Sequence, residues 1–182
     1  MIDKYDNIST PLELLDFMSS IKYGFLGSDN KFYFDDSNWF DKFVLQSPSD
    51  ILNNMIGNCF DQVELERDWF SKHNYKFNVY FQRIELDYNN PYPMHTFLVY
   101  EDNNKYYWFE NAWSDNRGIF EYNTLDELFK DVYDKSIILY KKNNINDEEL
   151  KKYSLYILDK PKYHFSALEY IEFCSKLVKI NE

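Results

Sequence analysis

Glycine and proline are scarce in this chain, with four and five copies among 182 residues. Four glycines leave no glycine-rich loop of the kind that cradles phosphate groups. The low glycine and proline content, together with 45% hydrophobic residues, also excludes a disordered chain. The length and the apolar content instead fit one domain, residues 1–182, with a single sizeable core.

Cysteine is equally rare. The two cysteines, Cys59 and Cys174, are too few for a disulfide scaffold, although a single bridge between them is conceivable. Cys174 falls in an apolar helical pattern and is interpreted as a core residue. No group of His and Cys has zinc spacing, and no run of Asp matches a calcium loop. We therefore expect no metal and no other cofactor.

Dense basic patches and long apolar runs are also missing. Lys and Arg are dispersed and the net charge is −11, so a nucleic-acid backbone is an unfavourable partner. No apolar run approaches the roughly 18 residues of a membrane-spanning helix. The first residues lack the apolar stretch of a signal peptide. These absences predict a cytoplasmic protein with reduced thiols and no membrane partner.

Aromatic residues, in contrast, are abundant at 20%, which favours a packed sheet with large side chains on both faces. Alternation and turn residues predict strands at 31–34, 75–81, 95–100, 106–111, 117–122 and 153–158. After Phe81 the apolar phase shifts to Ile84, Leu86 and Tyr88, which predicts a bulge near 82–83. A loop is predicted at 89–93.

Capping patterns predict the helices. Thr10, Thr124 and Ser166 each precede a Glu by three residues, as at a helix start. The helix after Thr124 is expected to end near 135, with a polar surface segment at 141–152. A short helix from 47 is expected to end at Gly57, and Asn58 is expected to cap a second helix that runs from 59 to about 73.

Cys59 would then be the first residue of that second helix. The positive end of the helix dipole favours a thiolate over a thiol, and the thiolate is the reactive form of cysteine. A lone cysteine before an amphipathic helix is nevertheless more often a small buried residue. The prediction of a nucleophile therefore needs partners for this thiol.

His95 and Glu110 are predicted partners because of hairpin geometry. A two-residue turn at Asn103 and Asn104 pairs residues whose numbers sum to 207. His95 and Glu110 then become diagonal neighbours on one face, within hydrogen-bonding reach, whereas Asn111 points to the other face. A three-residue turn would instead select Asn111.

These three residue types suit cysteine-based acyl chemistry. Cys59 supplies the nucleophile, His95 takes and returns a proton, and Glu110 orients the imidazole. The backbone N–H of Cys59 is one natural oxyanion donor, because helix starts have free donors. Side-chain candidates for the second donor are Gln46 and Trp39, and Trp113 is a candidate wall of the cleft beside Glu110.

At these residues the chain resembles the transglutaminase-like superfamily, relatives of the papain-like cysteine peptidases. The family motifs are a Gly-x-Cys run at a helix start, a strand with His followed by apolar residues, and a strand with Trp shortly before an acid. The matching segments here are Gly57-Asn58-Cys59, His95-Thr96-Phe97-Leu98-Val99 and Trp108-Phe109-Glu110. The resemblance covers about residues 47–122. The chain departs from the family at the third position, which is usually Asp, often followed by Pro, and here is Glu110-Asn111.

The resemblance implies an α+β fold in which the nucleophile helix packs on an antiparallel sheet that carries the His and the acid. It assigns Cys59 as nucleophile, His95 as base and Glu110 as the third member of a triad. Family members cross-link glutamine to amines, deamidate, cleave peptides, or have lost activity. We therefore expect a thioester-forming acyl hydrolase or transferase with a peptide or protein substrate, or alternatively an inactive binding module on the same scaffold.

Overall fold

The computed structural model describes residues 2–35, 38–85 and 93–180. The helices are α1 Ile2–Asp6, α2 Pro11–Met18, α3 Trp39–Lys42, α4 Pro48–Asn54, α5 Cys59–Lys72, α6 Leu125–Lys142, α7 Asp147–Leu150 and α8 Ala167–Cys174. The strands are β1 Phe25–Leu26, β2 Phe32–Tyr33, β3 Lys76–Ile84, β4 Met94–Asp102, β5 Lys105–Glu110, β6 Gly118–Tyr122 and β7 Tyr153–Ile157. Within these ranges no helix has the length and apolar content needed to cross a membrane.

The fold is mixed α+β, with an antiparallel sheet packed against helices. Five strands form the sheet in the order β6-β5-β4-β3-β7, and each neighbouring pair is antiparallel. β1 and β2 form a separate two-stranded ribbon. Because β4 and β3 are central, their side chains are covered on both faces of the sheet.

Helices α5 and α6 cover opposite faces of this sheet. Leu98 and Tyr100 of β4 pack in the core cluster that includes α5, whereas Phe97 and Val99 pack in a second cluster with α6. Successive residues of a strand point to opposite faces, so this division follows from the alternation of β4. The sheet therefore separates two apolar layers.

The β4–β5 hairpin has the predicted register. Leu98 pairs with Phe109 and Asp102 pairs with Lys105, so the partners sum to 207. Asn103 and Asn104 both have positive φ, 49° and 59°, as a two-residue type I′ turn requires. The prediction of a two-residue turn is confirmed.

The predicted bulge near Gln82 and Arg83 is wrong. β3 pairs with β4 without interruption from Lys76 to Arg83, and it pairs with β7 without interruption from Tyr80 to Ile84. The apolar pattern shifts because β3 is a central strand that is buried on both faces. Its apolar residues therefore do not mark a single face of the sheet. Leu86 and Tyr88, which also belong to the predicted apolar pattern, lie outside the described residues. Residues 89–92 of the loop predicted at 89–93 lie outside them as well.

Helix starts follow the sequence more closely than helix ends. Complete capping boxes begin α2, α4, α5 and α8, and the side chain of Thr124 caps α6. α4 ends at Asn54, where Met55 takes the left-handed conformation with φ 52°, and not at Gly57. α6 continues to Lys142, beyond the predicted end near 135, and α7 occupies part of the predicted polar segment. Cys59 and Cys174 are both free and buried, so no bridge joins them.

The turn at the β4–β5 hairpin makes a stability prediction. Asn104→Val should lower the free energy of unfolding by about 1–2 kcal/mol, because a β-branched residue is strained at positive φ. Chemical denaturation measures this change. Asn104→Gly is the matched control and should unfold at the same denaturant concentration as the parent or higher. Equal stability of the Val and Gly variants would contradict the left-handed conformation of this turn.

Candidate functional site

Cys59 is the first residue of α5. The side chain of Asn58 caps the helix by accepting from the backbone N–H groups of Phe60 and Asp61. Thr96 of β4 donates its hydroxyl to the carbonyl oxygen of Cys59 at 2.7 Å, which holds the helix start against the sheet. The thiol is buried, with 4% of the residue exposed.

The thiol of Cys59 lies close enough to the imidazole of His95 to help raise the pKa of that ring. By alternation His95 shares a face with Phe97, opposite the face that α5 covers. The contact forms because both residues lie at the ends of their elements: Cys59 begins α5, and His95 is the second residue of β4. The two side chains therefore meet at the end of strand β4, and their contact does not pass through the sheet.

Glu110 holds the other side of this imidazole. Its Oε2 lies 2.7 Å from Nε2 of His95, and its Oε1 accepts from the backbone N–H of Trp113 at 2.8 Å. Because Nε2 is engaged by the carboxylate, Nδ1 is the ring nitrogen left for the thiol. The adjacent Asn111 points to the other face, as predicted, and donates to Gln62 of α5 at 2.6 Å.

This arrangement favours a protonated imidazole. Burial opposes the charged ring, but the charge of Glu110 and the hydrogen bonds to Cys59 and Glu110 outweigh it and raise the pKa of His95 to about 10. An imidazolium beside a thiol stabilises the thiolate. The row formed by Cys59, His95 and Glu110 can therefore hold a nucleophilic sulfur next to a protonated imidazole that can later protonate a leaving group.

A second acid, Glu66, is buried two turns along α5. Burial raises the pKa of Glu66 well above its usual range, and the negative charge of Glu110 adds to that shift. Two carboxylates this close in a dry interior do not both ionise readily. Glu110, which is hydrogen-bonded to the ring, is therefore the counter-ion of His95.

Buried polar contacts brace the loop before Cys59. Asp61 accepts from the backbone N–H groups of Gln46 and Asn58 at 2.9 and 3.2 Å. Burial raises the pKa of Asp61 to about 7, although these two donors act in the opposite direction. The amide of Gln46 donates to the carbonyl of Ile56 at 3.0 Å and accepts from Asn54 at 2.8 Å. These hydrogen bonds hold the loop that precedes Cys59 in one conformation.

A second set of bonds joins this loop to the segment after Glu110. Gln62 donates to the carbonyl of Gly57 at 2.7 Å and accepts from Asn111. Asn111 in turn accepts from Arg117 at 2.8 Å, and Arg117 also donates to the carbonyl of Leu15. The positions of the thiol loop and of the Glu110 strand end are therefore coupled through one amide pair.

A cleft of about 770 Å³ opens beside the imidazole. Its walls come from the start of β4, the turn after β5 and the last turns of α6. The lining includes His95, Trp113, Tyr23, Gln82 and Tyr140. The cleft thus lies on the α6 side of the sheet, and His95 forms part of its wall.

The predicted site residues fall into two groups. Cys59, His95 and Glu110 come together, and Trp113 lines the cleft with its ring 5.6 Å from that of His95. Trp39 and Gln46 are not part of the described cleft lining. Trp39 is buried against the rings of Phe43 and Phe60, and the amide of Gln46 is already hydrogen-bonded within its loop.

Sequence reasoning missed the contributions of Thr96, Gln82 and Tyr140. Gln82 had a visible signal, because it is an amide within a run of apolar residues. Tyr140 had none, because it is one of 17 tyrosines and its helix was expected to end before it. The backbone N–H of Cys59 bonds no acceptor within the described ranges, so it remains the natural oxyanion donor.

No cluster of three or more His, Cys, Asp or Glu side chains suited to a metal ion occurs among the described residues. No protein-family model matches the chain, and a search of curated proteins gave no match.

The contacts of His95 predict a titration. Glu110→Gln should lower the pKa of His95 from about 10 to the usual range near 6.5 or below, because burial then disfavours the cation without a counter-ion. Nuclear magnetic resonance of 15N-labelled imidazoles measures this change. Since the folded pKa is raised, the pair stabilises the native state below pH 6.5, and that stabilisation is lost as the pH rises through about 10.

Glu121→Gln is the matched control, because Glu121 is an exposed acid of β6 that bonds Tyr107 and not His95. The His95 signal should titrate in this variant as in the parent. An unchanged His95 titration in Glu110→Gln would contradict the assignment of Glu110 as its counter-ion.

Proposed function

We propose that the protein is a cysteine-dependent acyl hydrolase or transferase that acts on an amide of a peptide or protein through a thioester. One observation carries this proposal: Cys59, His95 and Glu110 lie in a row, in which His95 is hydrogen-bonded to Glu110, interacts with the thiol and lines a cleft. Each residue alone has a structural explanation. The buried carboxylate, the protonated ring and the thiol at a helix start together match nucleophilic catalysis.

In the resting pair the proton of Cys59 already lies on Nδ1 of His95, and in the proposed reaction the thiolate attacks the carbonyl carbon of the amide. The carbonyl oxygen becomes an oxyanion, to which the backbone N–H of Cys59 can donate. The C–N bond then breaks as His95 returns its proton to the departing nitrogen, which leaves a thioester. Water or an amine then attacks the thioester as its proton passes to His95. The C–S bond breaks, which releases the acid or the new amide and restores the thiolate beside protonated His95.

Glu110 keeps the imidazole in one orientation through both halves of this cycle. Its two oxygens are held separately, one by His95 and one by the backbone of Trp113, so the carboxylate cannot rotate freely. A fixed carboxylate stabilises the imidazolium that forms in each half-reaction. This constraint is the reason to assign Glu110 a positioning role and not a proton-transfer role.

A transglutaminase-like or papain-like core is part of this proposal. It is supported by a helix that begins with the thiol, an antiparallel sheet, and His and acid on consecutive strands of that sheet. We favour hydrolysis, either peptide cleavage or deamidation, over cross-linking. The chain is small, and its sequence contains no recognisable amine-acceptor site.

A catalytically inactive binding module is the second candidate. The burial of Cys59 favours it, because only 4% of this residue is exposed and it is not among the described residues that line the cleft. In that case the row would stabilise the fold, and the cleft alone would bind a partner. Acylation of the thiol separates the two candidates.

The test is acylation by p-nitrophenyl acetate at neutral pH. We expect a burst of p-nitrophenolate that approaches one equivalent, with a single acetyl group on Cys59 by intact mass and peptide mapping. Cys59→Ala should abolish the burst. Cys174→Ala is the matched control and should retain it, because burial raises the pKa of the Cys174 thiol to about 12.

His95→Ala should slow the burst at least about 100-fold, as expected for loss of a general base. Acetylation of Cys174 in place of Cys59, or equal slow reaction of both thiols only above about pH 8.5, would refute an activated Cys59. That outcome would favour the binding module.

A further inference from the structure

We propose that the cleft beside His95 binds a neutral, mainly apolar substrate group that carries a hydrogen-bond acceptor, and that Tyr140 donates its hydroxyl to this acceptor. The proposal deepens the proposed function and rests on it for the meaning of the bound group as part of the substrate. Tyr140 acts here as a specificity-determining residue, because it contacts the bound group and not the reacting atoms.

The hydroxyl of Tyr140 is an unused donor in the interior. The residue is 2% exposed, and its hydroxyl has no hydrogen-bond partner among the residues that the structure describes. Leaving a buried hydroxyl unpaired is costly, and a phenylalanine would fill the same space without that cost. Tyr140 contributes to the wall of the cleft, and a ligand that reaches its buried hydroxyl would complete the missing bond.

Two polar side chains near Tyr140, those of Gln82 and Ser136, already have hydrogen-bond partners. Gln82 lies opposite His95 in the β3–β4 pair and shares its face. Its amide donates to Ser136 at 2.8 Å and accepts from Tyr153 at 2.9 Å. Ser136, one helical turn before Tyr140, donates its own hydroxyl to the carbonyl of Val132.

Tyr140 also lies near the reactive row. Burial raises the pKa of Tyr140 far above its usual value, and the negative charge of a Cys59 thiolate adds to that shift. The hydroxyl is therefore a neutral donor throughout the physiological range, within electrostatic reach of the sulfur. A group held at Tyr140 would lie next to the proposed site of acyl transfer.

The remaining lining defines the chemical class of the bound group. Pro93, Met94, Leu139 and Ile145 give the cleft apolar walls, and its described lining contains no Lys or Arg. Asp115 adds a negative charge, in a chain whose net charge is −11. Glu110 balances the charge of His95 on this wall, so Asp115 disfavours an anionic group, whereas an aromatic or branched aliphatic group with a carbonyl oxygen fits both the walls and the hydroxyl of Tyr140.

The experiment uses the full chain with Cys59→Ala, so that binding is measured without reaction. The probes are 3-phenylpropanamide, propylbenzene and 3-phenylpropanoate, which share one apolar body and differ in the acceptor and the charge. Ligand-detected nuclear magnetic resonance titration gives their dissociation constants. We expect the amide to bind more tightly than the carboxylate, and Tyr140→Phe to weaken the amide about fivefold without weakening propylbenzene.

Tyr170→Phe is the matched control. Tyr170 is also buried with an unpaired hydroxyl, but it packs in the aromatic cluster of Phe43 and Phe60 and is not among the described residues of the cleft. This variant should bind all three probes as the parent does. Neither variant should unfold at a lower temperature than the parent, because each loses an unpaired hydroxyl.

Unchanged amide binding in Tyr140→Phe, tighter binding of the carboxylate, or no binding of the amide at about 10 mM would overturn the proposal. Because these measurements use a chain without the thiol, they are independent of acylation at Cys59. If acylation fails but the probes bind as expected, the proposed enzymatic activity is wrong and the ligand site stands. If acylation succeeds but the probes do not bind as expected, the ligand site is wrong and the proposed activity stands.

Discussion

The two-residue turn at Asn103 and Asn104 sets the register on which the candidate site depends. With both residues at positive φ the hairpin closes at its tightest, and every cross-strand pair of β4 and β5 follows from that closure. One residue more in the turn would reverse the face of each β5 side chain. Glu110 would then point toward α5, and the imidazole of His95 would lose its carboxylate. A local backbone preference thus decides a contact several residues away.

Burial makes the charges of the site depend on one another. In the interior an imidazolium without a counter-ion is unfavourable, so the protonated state of His95 depends on Glu110. Burial acts on Glu66 as well, and there the charge of His95 lowers the pKa less than burial and Glu110 raise it, so the pKa stays well above its usual range. Two acids near one ring therefore have different electrostatic surroundings. The difference arises from geometry, because the residue type is the same.

The site lies where several elements end, and each contributes a different function. α5 presents the thiol at its first residue, β4 presents the imidazole at its second, and β5 presents the carboxylate at its last. Residues at element ends escape the strict division between the two faces of the sheet. α6 reacts with nothing in this scheme, but it closes the cleft and brings the tyrosine hydroxyl to it. The chemistry that we propose and the recognition that we propose therefore come from different sides of the sheet.

Local chemistry in the sequence determined much of this. Capping residues predicted where α2, α4, α5, α6 and α8 begin, and the turn asparagines predicted the pairing of His95 with Glu110, because both depend on residues only a few positions apart. Alternation failed at Gln82, where a central strand is covered on both faces and its pattern reports neither. The extension of α6, the raised pKa of Glu66 and the buried hydroxyl of Tyr140 were decided by tertiary structure alone. Each of them depends on which distant surface packs against the residue, and this information is spread over the whole chain.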